Sequence, residues 1–577
     1  MRGTNENRDP RNKVVTPDWA RDAVWYQIFP ERFRNGSRES DPRLEDINDR
    51  PVPDWSICPW GMDWYRSAPW EQGLSRRHGG VYLRRFGGDL IGVREKLDYL
   101  QELGVNAIYL NPVFTGQSLH KYDGATFHHI DPTFGPDRAG DLRALADANE
   151  TEDPATWIWT AADMYFLELV QDVHQRGMRI IIDGVFNHTG RRFFAFEDLL
   201  RNGKASPYAE WYLIDRWNKD GSFEYTGWFK HKALPEFNRT KENLAAPVRQ
   251  YVFDCTRRWM DPAGDGDCAK GIDGWRLDVA FCVPQGFWRE WRTLVKSINP
   301  EAYLSAEIVT DAREYLQGDQ FDAVMNYMWM YPSVEFFAPS KEAMPVHVLR
   351  ERLDSLRAAY PEEVTPVLQN LLDSHDVGRI VTMLENPDEP MSHWEDYFHV
   401  SRIKDNPRFV ATRPGPRAWQ SLRQLVIFQM TYPGAPMIYY GTEAGMWGAN
   451  DPDNRQPMLW EDFAYEPEEH TPYGRKAPTP RAPNAELFDF FKQAIRLRRN
   501  NAAIRRGTFR WLDTEHSALL AYERVHESSR IRVLFNVQNE SLPYRLDVQA
   551  EDIWNETATL SPGNIEIPAR GWRILRV

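Results

Sequence analysis

Four apolar runs in the chain end in side chains that do acid–base or nucleophilic chemistry. Asp183, Asn187 and His188 follow the run at 179–185, and Arg276 and Asp278 close the run at 271–280. Glu307 closes 302–308, and His375 and Asp376 close 370–376. Arg276 and Asp278 are two apart, so in an extended strand they share a face. A guanidinium beside a carboxylate favours its ionised form, and an anionic carboxylate on a rigid strand suits attack at a sugar carbon. Glu307 lies between Ala306 and Ile308 with no cation next to it in the chain, the setting of a proton donor. Two carboxyl groups divided in this way are the machinery of glycosidic bond cleavage. Asp376, His375 and His188 add hydrogen-bonding groups for sugar hydroxyls. A zinc centre built on the two histidines is the competing reading, and an arginine in the cluster opposes it.

Something must bring these distant residues together. Strand-like runs recur at 23–30, 106–114, 179–185, 271–280, 302–308, 321–327, 370–376 and 437–443, with helical spacing between them. Strands alternating with helices imply parallel pairing and crossover connections. Eight such units predict an α/β fold of the closed (β/α)8 TIM-barrel type, whose active site lies at the carboxyl ends of the strands. That is where all the residues above fall. Residues 35–80 and 115–160 read as long irregular insertions, which are usually functional. The expected domains are a flexible polar lead at 1–20, a catalytic barrel at 21–189 and 246–504, an inserted domain after the third strand at 190–245, and a C-terminal antiparallel β-sandwich at 505–577.

At 577 residues the chain is long enough for several domains. Its 23 Trp, 24 Tyr and 29 Phe suit the flat apolar faces of sugars, as well as a large core. A net charge of −14 excludes a nucleic-acid-binding surface, which needs a basic face. The N-terminus lacks the apolar core of a signal peptide, and no apolar run is long enough for a membrane span. Cys58, Cys255, Cys268 and Cys282 have no metal-ligand spacing and read as reduced thiols, so a cytoplasmic location is expected.

The segments Asp183-Gly184-Val185-Phe186-Asn187-His188, Gly274-Trp275-Arg276-Leu277-Asp278, Glu307 in its strand and Ser374-His375-Asp376 resemble, in order and spacing, the four signature regions of the α-amylase family, glycoside hydrolase family 13. The resemblance runs from about residue 20 to the C-terminus. It implies a retaining α-glucan-active enzyme with Asp278 as nucleophile, Glu307 as acid/base and Asp376 as transition-state stabiliser. Arg276, His188 and His375 match residues around the sugar at subsite −1, and Tyr122 looks like the tyrosine that stacks on it. The insertion at 190–245 looks like the family's domain B. Leu234-Pro235-Glu236-Phe237-Asn238 resembles a motif of the neopullulanase, cyclomaltodextrinase and maltogenic amylase group, and Asp451 and Arg455 look like that group's subsite −2 pair.

Three departures stand out. The N-terminal β domain usual in that group has no room before the first strand, so the dimer it builds is not carried over and the oligomeric state stays open. Val309-Thr310 follows Glu307 where Trp-His is common. The loop expected to hold structural calcium offers Asn35, Asp41, Gly87 and Asp89, with Ser37 and Ser40 replacing two ligands; no cofactor is required. The expected activity is hydrolysis of α-1,4 bonds in short, branched or cyclic maltooligosaccharides, an oligosaccharide being the one expected partner. The alternatives are a transglycosylase, an ordinary starch α-amylase or, remotely, a non-catalytic sugar-binding relative.

Overall fold

The computed structural model describes residues 14–74, 80–389, 392–555 and 559–577. Its centre is a ring of parallel strands: β1 (Trp25–Ile28), β2 (Ala107–Leu110), β3 (Arg179–Gly184), β4 (Gly274–Leu277), β5 (Tyr303–Ala306), β6 (Ala323–Val324), β7 (Gln369–Leu371) and β8 (Ala435–Tyr439). Neighbours follow the order β6-β5-β4-β3-β2-β1-β8-β7. The ring closes through a parallel bridge between Met325 and Gln369, where the Asn326 amide donates to the Gln369 carbonyl at 2.8 Å. Apart from Arg179, every strand residue is buried. Strands covered on both faces carry such continuous apolar runs.

Register sets the height of the site. Asp183 pairs with Arg276 and Gly184 with Leu277; Arg276 pairs with Ser305 and Leu277 with Ala306. The carboxyl ends of β3, β4 and β5 are therefore level, and Asp278 and Glu307 emerge side by side, each one residue past its strand.

Helices pack the outside of the ring. Helix α1 (Ala161–Gln175) starts in a capping box: Thr160 Oγ1 accepts from the Asp163 amide at 3.1 Å, and the Asp163 carboxylate accepts from the Thr160 amide at 3.0 Å. Helix α2 (Ala246–Met260) carries a proline in its first turn, where the missing N–H costs nothing. Helix α3 (Gln285–Ile298) buries Phe287, Trp288, Trp291 and Val295 along one stripe.

The segment at 190–245 holds the helix Phe194–Asn202 and an antiparallel hairpin of Ile214–Trp217 with Phe223–Tyr225. Buried Phe193, Phe196, Trp211, Tyr212 and Phe237 fill it. The Phe237 amide donates to the Asn187 carbonyl at 3.1 Å, tying it to the end of β3. Past residue 507, five antiparallel strands and a separate pair (Leu542–Leu546 with Gly563–Ile567) enclose Leu519, Leu534, Leu546, Ile567 and Leu575. These are two sheets with a shared apolar core, docked on the barrel where Gln424 Nε2 donates to the Asn536 carbonyl at 2.9 Å.

Three local readings differ from expectation. The polar lead packs from its first described residue: Val14 and Ala20 are buried, and Asp18–Asp22 forms a helical turn. Residues 1–13 lie outside the described residues. The insertion at 115–160 contains a helix, Arg138–Asp147, capped by Asp137. A hairpin of Glu468–Thr471 with Gly474–Thr479 was not anticipated. In each case polar side chains mask a local preference that contacts far along the chain decide.

Candidate active site

The site is built around the Arg276 guanidinium, which is fully buried at the rim. Its Nη1 donates to Asp183 Oδ1 and Oδ2 at 2.9 and 3.0 Å and to Asp278 Oδ1 at 3.1 Å. Its Nη2 lies 3.0 Å from Glu307 Oε1, and its Nε faces Met325 Sδ at 3.3 Å. This corrects the expectation that Asp278 owns the cation while Glu307 has none. Pairing of β4 with β5 puts Arg276 between both carboxylates, which sequence neighbours alone do not reveal. Glu307 has a second anchor: its Oε2 accepts from the Val279 amide at 2.9 Å. Val279 is left-handed (φ 37°, ψ 46°), a strained state for a β-branched residue, and this turn aims its N–H back across the strands.

The other expected residues gather on the same rim. Tyr122 stacks on His375 with ring centroids 5.5 Å apart and planes 10° apart. Its hydroxyl meets Asp183 Oδ2 at 2.8 Å and His375 Nε2 at 2.6 Å. Gln27 Nε2 lies 2.9 Å from both His375 Nδ1 and Asn111 Oδ1, so His375 Nδ1 accepts and its Nε2 carries the proton. Asp376 Oδ2 lies 3.2 Å from His375 Nε2, and its Oδ1 is 3.6 Å from Arg455 Nη2. Arg455 Nη1 pairs with Asp451 Oδ1 at 3.1 Å. Asp451 Oδ2 also accepts from the Tyr82 hydroxyl at 3.3 Å and Arg402 Nη2 at 3.5 Å. His188 stacks on Trp228 of the insertion (5.3 Å, 23°), and its buried Nε2 has no hydrogen-bond partner within the chain.

Charge is unevenly matched here. Burial, then the Glu307 charge, push Asp278 well above the usual carboxylate range against the pull of Arg276. The same two causes push Asp376 up to about 8, with Arg455 and Arg276 opposing. Burial also lifts Asp183. Such a carboxylate cluster holds a proton at neutral pH that belongs to the group rather than to one member. Burial and the cations Arg455 and Arg276 push His375 well below its ordinary value. Burial takes His188 down to about 3. Both imidazoles are therefore neutral hydrogen-bonding groups.

Several site residues escaped the sequence reading. Tyr109 donates to Asp183 at 2.6 Å, and Asn111 Nδ2 to the Tyr122 hydroxyl at 3.0 Å. Their signal was present: both sit at the end of β2, two apart. Arg239 Nη1 bonds Asn187 Oδ1 at 2.5 Å and the Cys282 carbonyl at 2.6 Å, clasping the ends of β3 and β4. Tyr82 and Arg402 come from segments with no local pattern.

The residues expected to hold calcium, Asn35, Asp41, Gly87 and Asp89, are engaged with one another and with backbone amides. Asn35 Nδ2 donates to Asp41 Oδ1 at 2.6 Å. The Asp89 carboxylate is taken up as a helix cap, accepting from the amides of Gly92 (2.6 Å), Ser37 (2.9 Å) and Gly36 (3.1 Å). Of the two carboxylates among the four, only Asp41 Oδ2 is left without a bond described here, against the six to eight oxygens calcium takes. Among the described residues no helix is long and apolar enough to cross a membrane, and all four cysteines are free.

The chain is similar to known proteins over most of its length. The family described as "Alpha amylase, catalytic domain" matches residues 27–153, 160–401 and 391–507. Neopullulanase 2 of Thermoactinomyces vulgaris is 37% identical over 540 residues, spanning 92% of this chain and 72% of that protein. A cyclomaltodextrinase of a Bacillus species is 33% identical over 532 residues, spanning 92% and 75%. The solved cyclic α-maltosyl-(1→6)-maltose hydrolase of Arthrobacter globiformis superposes with a TM-score of 0.70 at 26% identity, covering 98% of this chain and all of that one. On motif order, barrel and relatives together, the chain belongs to the α-amylase family and is a glycoside hydrolase of family 13.

Proposed function

We propose that this glycoside hydrolase cleaves α-1,4 bonds of short, branched or cyclic maltooligosaccharides by double displacement. The observation that carries the reading is Arg276 held between Asp278 and Glu307. One guanidinium keeps two carboxyl groups from different strands facing the same space. Glu307 protonates the leaving glycosidic oxygen while Asp278 attacks C1, giving a glycosyl ester. Water, deprotonated by Glu307, then attacks C1 and releases Asp278. Asp376 and the neutral His188 and His375 bind hydroxyls of the −1 sugar, and Tyr122 stacks on its face.

A preference for short or cyclic substrates is supported by the wall at one end. Tyr82, Arg402, Asp451 and Arg455 come from three separate loops and interlock. The relatives named for cyclomaltodextrin, pullulan and cyclic maltosyl-maltose point the same way. A second reading, transfer to a sugar acceptor, is favoured by two exposed aromatics near the rim. Phe281, three residues past Asp278, is 42% exposed, and Phe229, beside Trp228, is 67% exposed. Each leaves an apolar ring face open to solvent. Free thiols at all four cysteines support a cytoplasmic location.

The test is a product profile on cyclodextrins, pullulan, soluble starch and maltotriose, with Asp278→Asn as control. Cyclodextrin opening faster than starch cleavage, falling by on the order of 10⁴ in the control, is expected. Starch cleaved faster than cyclodextrin would refute the substrate preference. Activity surviving in the control would remove Asp278 from its role.

A further inference from the structure

Away from the rim, His128, His129 and Glu150 bring three ligand atoms together, all within 4.8 Å of one another. His129 Nε2 lies 2.8 Å and His128 Nε2 3.4 Å from the same oxygen, Glu150 Oε2. Ligands around a tetrahedral ion at zinc–nitrogen distances are separated by about 3.3 Å. Both histidines are held by their other ring nitrogen. His129 Nδ1 faces Asp163 Oδ2 at 2.8 Å, and His128 Nδ1 faces the Tyr251 hydroxyl and Thr126 Oγ1, each at 2.8 Å. Trp157 stacks on the His128 ring at 4.2 Å with planes 3° apart. Glu150 Oε1 accepts from the Ile158 amide at 2.7 Å, leaving Oε2 for the histidines. Carboxylates and hydroxyls behind metal-ligating imidazoles are the usual second layer of such sites.

Hydrogen-bond accounting requires a positive charge on or beside His129. Asp163 Oδ2 already accepts from the Thr160 amide at 3.0 Å and from Arg258 at 3.1 Å. It is an ionised acceptor, so His129 Nδ1 carries the proton toward it. A neutral His129 then presents the lone pair of Nε2 to Glu150 Oε2 at 2.8 Å, acceptor against acceptor. Either a second proton or a metal ion must lie between them. Two imidazoles and one carboxylate are the donor set of a borderline divalent ion, not of calcium or magnesium.

We propose that His128 Nε2, His129 Nε2 and Glu150 Oε2 bind one divalent transition-metal ion of the zinc type. The site acts as a clamp. Antiparallel bridges Phe114–Ile130 and Gly116–Gly124 make residues 114–130 a folded-back loop with Tyr122 near its tip. The two histidines lie on its returning arm, while Glu150 precedes α1. A metal there fastens the loop that carries Tyr122 to the outer helices without touching the reacting groups.

The test uses the full chain stripped of metal with a chelator, then titrated with Co²⁺ and Zn²⁺. Wild-type protein is expected to take up one Co²⁺ with visible absorption of a low-coordinate site, and to melt at higher temperature with Zn²⁺. His128→Gln and Glu150→Gln should each weaken uptake by ~tenfold or more. Metal-free turnover of cyclodextrin reports whether each variant is folded. Glu150, on a partly open loop, carries the comparison if the histidine variant does not fold. Absence of a Co²⁺ band, or equal uptake by wild type and Glu150→Gln, would overturn the proposal and leave a proton in the triangle.

Discussion

Two buried arginines show how differently the same ion pair is used. Arg84 and Glu71 form a closed fork: Nε meets Oε1 at 2.8 Å and Nη2 meets Oε2 at 2.6 Å. The remaining Arg84 donors reach the carbonyls of Trp64 and Arg66 at 2.7 and 2.8 Å, and Glu71 Oε2 also accepts from the Ala68 amide. One cation meets one anion, and every nitrogen of the guanidinium makes at least one bond. At the rim, Arg276 faces Asp183, Asp278 and Glu307, with Asp376 close by. Carboxylates outnumber guanidiniums, and the excess appears as raised proton affinity. Burial alone therefore does not mark a functional site. Buried charge left deliberately out of balance does.

The sharpest break of this comparison comes from exchanging each arginine for lysine. At Arg276 the compact ammonium cannot bridge three carboxylates. A fall in kcat on the order of 10²–10³ is expected, with little change in melting temperature. At Arg84 the order reverses: the denaturant midpoint of unfolding should fall, because an ammonium cannot make all four bonds of the fork, while kcat is nearly unchanged. Matching losses of activity in both would show that the two pairs do the same work.

A second contrast is the response to pH. A carboxyl raised to about 8 keeps its proton in the folded protein where the unfolded chain, near 3.8, has lost it. The stabilisation is complete below the unfolded value and disappears as pH rises through about 8. Melting temperature should thus fall between pH 5 and pH 9, and Asp376→Asn should flatten that slope. A wild-type melting temperature that is flat or rises over this window would contradict the charge imbalance.

The smallest effect concerns the exposed platform. Phe281→Ala should raise KM for maltotriose ~3- to 10-fold and lower the share of transfer products at high maltose. An unchanged product ratio would take Phe281 out of acceptor binding.

Much of the barrel was legible because each strand is a short apolar run whose chemistry sits at one end. Asp183, Arg276 and Asp278 needed only the two-residue period to be placed on a rim. What stayed hidden depends on neighbours across the sheet. That Arg276 serves Glu307 as well as Asp278 follows from the register of β4 with β5, and no local pattern encodes it. Tyr82, Arg402 and Asp451 meet through loops that lack any period. Val14 and Ala20 are buried by helices and loops hundreds of residues away.

The left-handed turn at Val279 bears on the timing of a catalytic cycle. In the double displacement proposed above, Glu307 acts twice, first giving a proton and then taking one, with a covalent ester waiting between. A carboxyl free to spin in that interval could return with the wrong oxygen forward. The Val279 amide holds one oxygen through both halves. On that reading the other, 3.0 Å from Arg276 Nη2, is the oxygen that meets the leaving group and, later, the incoming water, and a single strained peptide serves as the cycle's memory.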